Sequence, residues 1–493
     1  MRTRKINRGA WARRALRHTA LVALVLGTLL LPRTRATAGP IRAPRVPPCG
    51  AAQPSATAQT LPPTTVATIE EAYTCLLAHY PSGPALDDRV LLHGAMVGLI
   101  TDLMRRGLDQ PTAMLPALHG DHAADWRAFR AAYLAIAARL PRNPRVQQNL
   151  ARATIAGLVA SLQDDHTRYA APLSVGDNKA GGASGGPAGA GEFGLGPRLS
   201  ADDSVPTRTI APLFIVAVDP GSPATAADLR PGDTITAING LPPFVQGMAD
   251  QAVLAQLDGP ATLRLRIRRP ATGRAMMVTL IPAPYPSPQA VTARVLPGDV
   301  AYVRLTSFVD NAANYVFAAL DGLGLGPRLR GLVLDLRGNG GGPAGEPARL
   351  LGAFVHGRVF ASFDDGHGHR TVARTDAGMP LVRVPLVVLI DRGCASACDV
   401  TASAIRDLRL GRLVGERTAG DVSGPAKPWF LDDGGVLQIP VAFMRGANGE
   451  IVDGVGIPPD DAAPVTATAL STGRDPGIDQ ALRDLQREGQ DHI

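Results

Sequence analysis

A chain of 493 residues has room for about three domains, each with a core of its own. Its formal charge of +7 comes from one end: residues 1–38 hold nine basic and no acidic side chains, and removing those nine leaves −2 for the rest. With no basic patch interleaved with aromatics, this balance excludes a nucleic-acid binder, and the four cysteines and ten histidines lack the spacing of a metal cluster, so neither a metal nor another cofactor is implied.

Taken in chain order, Arg2, Arg4, Lys5, Arg8, Arg13, Arg14 and Arg17 form a basic start, Leu21 to Leu31 is apolar, and Ala36-Thr37-Ala38 is a small-residue cleavage site. Residues 1–38 therefore read as an export signal, and the apolar run is shorter than the ~20 residues of a comfortable membrane span. The expected location is extracellular or in the cell envelope, with membrane contact only through that signal. Residues 39–65, rich in Pro, Ala and Thr, read as an extended linker. Cys49 and Cys75 can pair in an exported chain.

Residues 66–173 read as a helical region. Asp87 to Arg106 shows Val90, Leu91, Met96, Val97, Leu99, Ile100 and Met104 at helical spacing behind an Asp cap, and Val146 to Leu162 gives a second amphipathic helix. Asp164-Asp165-His166-Thr167-Arg168-Tyr169 ends it. A histidine there can cap a helix C-terminus or serve as a base. Residues 174–190 are a Gly/Ala/Ser linker.

Residues 191–284 carry the loop Phe193-Gly194-Leu195-Gly196, the strand Phe214 to Val218, the turn Asp219-Pro220-Gly221-Ser222-Pro223-Ala224, and Arg230-Pro231-Gly232-Asp233-Thr234-Ile235-Thr236-Ala237-Ile238-Asn239-Gly240. Leu263 to Arg268 alternates as a half-exposed strand does. This segment resembles a PDZ domain, which binds an extended C-terminal tail by strand addition while loop N–H groups hold its carboxylate. By that resemblance Phe193, Gly194, Leu195 and Gly196 are the peptide-binding loop. The other reading of the segment is a structural lid.

Residues 285–470 alternate strands at Val300–Leu305, Leu332–Leu336, Leu386–Ile390 and Arg412–Val414 with helices near 311–323, 347–351 and 400–408, which is α/β layering. Residues 471–493 read as a tail helix. Two turns in this core carry chemistry. Gly331-Leu332-Val333-Leu334-Asp335-Leu336-Arg337-Gly338-Asn339-Gly340-Gly341-Gly342 runs a buried strand into glycines whose N–H groups can face an oxyanion. Pro385 to Ile390 runs into Asp391-Arg392-Gly393-Cys394-Ala395-Ser396-Ala397-Cys398-Asp399. A serine between two alanines at a strand-to-helix turn has little bulk about its oxygen and a helix N-terminus to favour developing negative charge. Cys394 and Cys398 flank it, either as a disulfide clamping the turn or as two buried thiols.

In this order the two turns, with the PDZ-like segment before them, resemble the C-terminal processing and tricorn-type serine peptidases, whose motifs are D-L-R-x-N-x-G-G and a later S-A-S-A-S-E. The resemblance runs from about Ile69 to Leu470. It implies a crotonase-like core built as a spiral of ββα units, with a PDZ-like β domain and an N-terminal helical region, and an exported endopeptidase acting on unfolded or C-terminally exposed protein segments. It makes Ser396 the nucleophile and makes Gly341, with Gly340 beside it, and Ala397 the oxyanion donors. Arg337 and Asn339 are expected to hold the glycine turn. The processing branch places a lysine base in G-E-x-T-x-G-K; here Gly415-Glu416-Arg417-Thr418-Ala419-Gly420-Asp421 puts Asp421 there. Lys427 is the one lysine of the catalytic region. A carboxylate at its ordinary pKa is a weak base, so a Ser–Lys dyad is not expected. The tricorn branch uses a histidine, which makes His166 the expected base, ahead of His356, His367 and His369. Asp453, in Asp453-Gly454-Val455-Gly456-Ile457-Pro458-Pro459-Asp460, or Asp165 is then expected to orient it. The alternative is an inactive member of the family that binds peptides or ligands through the PDZ-like segment.

Overall fold

Two strands of the core are apolar but for the Asp335 that ends one of them, so they must be covered on both faces, and they are. The computed structural model describes residues 49–50, 62–81, 86–164, 166–172, 192–200, 209–257, 259, 261–366, 368–422, 424 and 426–491. The export signal, most of the 39–65 linker, the 174–190 linker, Asp165 and His367 lie outside the described residues.

The central sheet has six strands in the order Val291–Leu296, Val300–Leu305, Gly331–Asp335, Leu386–Ile390, Arg412–Gly415 and Asp461–Ala462. The first pair is antiparallel and the others are parallel. Every residue of Gly331–Asp335 and Leu386–Ile390 is buried, as parallel strands under two helical layers should be. Alternation persists within the apolar run. Leu332, Leu334, Val388 and Ile390 face the helices Ala312–Gly322, Glu346–Gly352 and Ala397–Asp407. Val333, Val387 and Leu389 face Ala481 and Leu485 of the C-terminal helix Pro476–Asp491. The strand ends therefore line up at one edge, where both chemical turns begin.

The helical region holds four helices, Val66–His79, Asp88–Arg105, His122–Ala137 and Pro144–Ala160. The first starts at Val66, where Thr65 and Thr68 form a reciprocal capping box. His122–Ala137 was not expected from the sequence. This region is stitched to the hairpin Ala426–Phe430/Val436–Pro440 of the core. Thr64 Oγ1 donates to Asp433 at 2.6 Å and Thr68 Oγ1 to Asp432 at 2.9 Å, while Glu71 accepts from the Asp432 N–H at 2.8 Å. Cys49 and Cys75 form a disulfide beside them. Leu431, Leu437 and Ile439 of the hairpin sit in the helices' hydrophobic core. The strand Arg168–Ala170 then adds to Val436–Pro440. That addition carries His166 across to the core.

The PDZ-like part pairs Pro197–Leu199 with Ile215–Val218 and stacks Thr234–Ile238, Leu263–Arg269 and Arg274–Leu280 into a second sheet around Ile215, Ile235, Ile267 and Leu280.

Candidate active site

Ser396 sits at the junction of Leu386–Ile390 and the helix Ala397–Asp407, as its N-cap, with φ 55° and ψ −118°. A non-glycine residue held there is strained, and such strain is typical of residues whose direction matters. Two features hold it. Cys394 and Cys398 form a disulfide that closes a short loop around Ala395, Ser396 and Ala397. The Ser396 N–H donates to the Asp421 carbonyl at 2.9 Å. Ser396 itself is half-buried, between fully packed alanines.

The glycine turn meets the serine turn from the neighbouring strand. A Cβ on Gly341 (φ +97°) would lie 2.7 Å from Ser396 Cβ and 3.0 Å from the Ala397 nitrogen, so only glycine allows the approach. The Gly341 N–H already donates to Asn339 Oδ1 at 2.9 Å. Gly341 is thus a spacer whose N–H is already engaged, unlike its neighbour Gly340. Gly340 is exposed, and among the described residues neither its N–H nor that of Ala397 is assigned a hydrogen-bond acceptor. Ala397 is the first helical residue, where an N–H has no partner within the helix.

Asn339 also donates Nδ2 to the Leu305 carbonyl at 3.0 Å, and its own carbonyl accepts from Ala395 N at 3.0 Å. Arg337 donates to Asp335 and Asp475. Burial alone would raise Asp335, but Arg337 and Arg304 hold it well below the usual carboxylate range. Both side chains anchor the turn, as their positions in the sequence suggest.

His166 lies beyond its helix, whose C-cap is Ser161, so it is not a helix cap. Its loop is shaped by Asp164, which accepts from the N–H groups of His166 at 2.9 Å and Thr167 at 2.5 Å and from Tyr80 Oη at 2.8 Å. The carboxylate against the ring is Asp421: Nδ1 and Oδ1 are 2.8 Å apart, with side chains 20% and 14% exposed. The two atoms are in close contact, with the Nδ1–H off the line to Oδ1, since neither atom has an aligned hydrogen-bond partner. Burial would lower the His166 pKa, yet Asp421, then Asp453 and Asp164, raise it above the ordinary value.

Asp453 lies on the neighbouring turn. Its Oδ1 accepts from the Val422 N–H at 3.0 Å, and it acts on His166 through its charge. The residue read as a lost lysine is therefore the one against the histidine. Sequence reasoning missed that role, although the departure from the lysine motif marked the position. Lys427 is exposed on Ala426–Phe430. His356 binds the Met379 carbonyl at 2.8 Å, and His369 is 84% exposed beside Asp365.

A cavity of about 1510 Å³ opens beside the glycine turn. Gly338, Gly340, Arg392 and Glu416 line one side, and Phe193 to Gly196 and Pro197–Leu199 of the PDZ-like part line the other. Phe193 is 64% exposed and Leu195 buried. The Leu195 and Gly196 carbonyls accept from the Ala224 and Asp219 N–H groups, both at 2.9 Å, which fixes the loop.

The pattern of peptidase family S41 matches residues 299–463 and that of the PDZ domain residues 214–269. The chain is 32% identical over 361 residues to the chloroplastic C-terminal processing peptidase of Tetradesmus obliquus, covering 68% of this chain and 71% of that one. It is 30% identical over 334 residues to the chloroplastic carboxyl-terminal-processing peptidase 2 of Arabidopsis thaliana, covering 66% and 62%. The solved photosystem II D1 C-terminal processing protease superposes with a TM-score of 0.51 at 22% identity, over 85% of this chain and 97% of that one, a likeness of fold.

Proposed function

The chain belongs to peptidase family S41 and is a serine peptidase, and on that premise we propose that it hydrolyses peptide bonds through a Ser396–His166–Asp421 triad. The carrying observation is that one residue touches both partners: Asp421 accepts the Ser396 N–H through its carbonyl and meets the His166 ring through its carboxylate. In this mechanism a neutral imidazole removes the Ser396 proton as its oxygen attacks the scissile carbonyl. Asp421 keeps the ring's other nitrogen protonated and stabilises the imidazolium that forms. The Ala397 and Gly340 N–H groups receive the oxyanion at the helix N-terminus. His166 returns its proton to the leaving amine, and water, deprotonated by the same ring, releases the acyl group from Ser396.

The substrate is an unfolded or C-terminally exposed protein segment. The cavity shared by the loop Phe193–Gly196 and the glycine turn supports this, since a tail held by the loop would lie beside the turn that carries Gly340. Export rests on the basic start, short apolar run and A-x-A site of residues 1–38.

The test is active-site labelling by a fluorophosphonate, with hydrolysis of unfolded β-casein alongside. Wild type and Lys427→Ala should label at Ser396 and cleave; His166→Ala should do neither at a comparable rate. A dead Lys427→Ala beside an active His166→Ala would return the base to lysine, and an unlabelled wild type would leave a binding protein.

A further inference from the structure

Asp399 is a buried carboxylate that the mechanism above does not use. It lies in the first turn of the helix that Ser396 caps, and it is 0% exposed. An acid in a helix's first turn commonly caps its own N–H groups. Asp399 instead reaches outward, to the segment that carries Asp421. Oδ1 accepts the Thr418 hydroxyl and the Gly420 N–H at 3.0 Å, and Oδ2 accepts the Asp421 N–H at 3.1 Å. The Asp421 carbonyl in turn accepts the Ser396 N–H. The result is a closed ring: Ser396, three residues of helix, the Asp399 carboxylate, Asp421, and back to Ser396.

We propose that Asp399 is the positioning residue of this site, locking the Asp421 loop to the nucleophile helix so that Asp421 meets His166. The inference rests on the triad reading and adds to it a regulator of the same site. Without the lock, Asp421 keeps only its carbonyl bond to Ser396, and the loop is otherwise held to the nucleophile turn by the Ala419 N–H, which donates to the Cys394 carbonyl at 3.0 Å, and from its far side. There Gly454 N donates to the Gly420 carbonyl at 2.6 Å and Ile457 N to Thr418 Oγ1 at 2.7 Å.

The ring works only with Asp399 ionised, because three donors converge on it. Burial pushes its pKa up to about 7, against the three hydrogen bonds, and the Asp421 charge adds to the rise. The titratable and charged groups on the elements around it are Glu416, Arg417 and Asp421 on the loop, Asp453 on the neighbouring turn, and His166 beyond Asp421. No cation donates to it among the described residues. Acidification then removes the lock as well as protonating His166, whose pKa Asp421 holds above its ordinary value, and two protons, not one, switch the peptidase off.

The experiment compares wild type, Asp399→Asn, Thr418→Val and His166→Ala on β-casein and fluorophosphonate between about pH 5 and pH 9. An asparagine keeps the shape but turns an NH2 towards an N–H. Asp399→Asn should lose about 10²-fold in kcat, as a small misplacement does, with KM nearly unchanged. Its acid limb should fall tenfold per pH unit, whereas wild type should approach a hundredfold. Thr418→Val should fall between them and keep the steep limb.

Thermal stability separates positioning from packing. A carboxyl raised in the folded state gives stability that is present below its ordinary pKa and lost as pH rises through about 7. Asp399→Asn should therefore melt no lower than wild type above pH 7, despite its lost activity. A variant that loses Tm and rate together with an unchanged limb would show packing and overturn the proposal. So would wild-type kcat in Asp399→Asn beside a dead His166→Ala. An active His166→Ala would instead remove the triad reading itself.

Discussion

Replacing Asp421 by asparagine keeps the loop's shape and removes one charge, 2.8 Å from the His166 ring. Unit charges at that separation attract by about 6 kcal/mol at an effective dielectric of ~20 and by about 1.5 kcal/mol in bulk water. Both side chains are mostly but not fully covered, so about 3 kcal/mol is a fair middle, which is a loss of about 10²-fold in kcat at ~1.4 kcal/mol per decade. The sign of the pH effect is fixed as well. Asp421 is the leading cause that raises His166, against burial, which lowers it. Without it the imidazole loses its proton at lower pH, so the acid limb of kcat/KM shifts to lower pH while the plateau drops. The assay is β-casein hydrolysis across pH 5–9 with fluorophosphonate labelling as a second readout. A plateau within about threefold of wild type, or a limb that stays in place, would refute the partnership.

Ser396→Ala should abolish hydrolysis with little change in melting temperature, and Ser396→Gly should melt higher than Ser396→Ala, because glycine relieves about 1 kcal/mol of strain at φ 55°. Gly341→Ala, whose Cβ meets both Ser396 and the Ala397 nitrogen, should cost about 10²-fold in kcat and about 1–3 kcal/mol in denaturant unfolding; normal activity would show that the two turns do not meet. The Cys394→Ala/Cys398→Ala double variant should lose about 2 kcal/mol from its four-residue separation and label more slowly at Ser396 in a folded protein. A peptide with a free apolar C-terminus should be bound and cleaved better than its amide, and equality would leave the PDZ-like part as a lid.

The parallel strands, the glycine turn and the serine turn were legible because each is local. Leu386–Ile390 is a strand by its own apolar run, and Cys394-Ala395-Ser396-Ala397-Cys398 displays its lack of bulk in five letters. The helix His122–Ala137 was missed, yet Trp126, Phe129, Tyr133 and Ile136 recur at helical spacing and are all buried. The pairing of His166 with Asp421 was illegible for a different reason. It depends on the three-residue strand Arg168–Ala170, too short to show alternation, joining a hairpin far along the chain. Asp399 stands where S-A-S-A-S-E ends in an acid, but its contacts were illegible because charge patterning assigns acids to solvent, whereas the whole first half of that helix is buried.

Aspartate in place of a lysine base could have meant a dead site, and the geometry argues otherwise. A cation at position 421 would stand against His166 and oppose the imidazolium; the carboxylate favours it. Once the base comes from another segment, the loop's task changes from supplying a proton acceptor to orienting one, and a carboxylate suits that task. On the proposed triad the base, His166, is held by the helical region, through Asp164 and the bonds of Thr64, Thr68 and Glu71 to Asp432 and Asp433. Seating that region on its hairpin and completing the active site become one event.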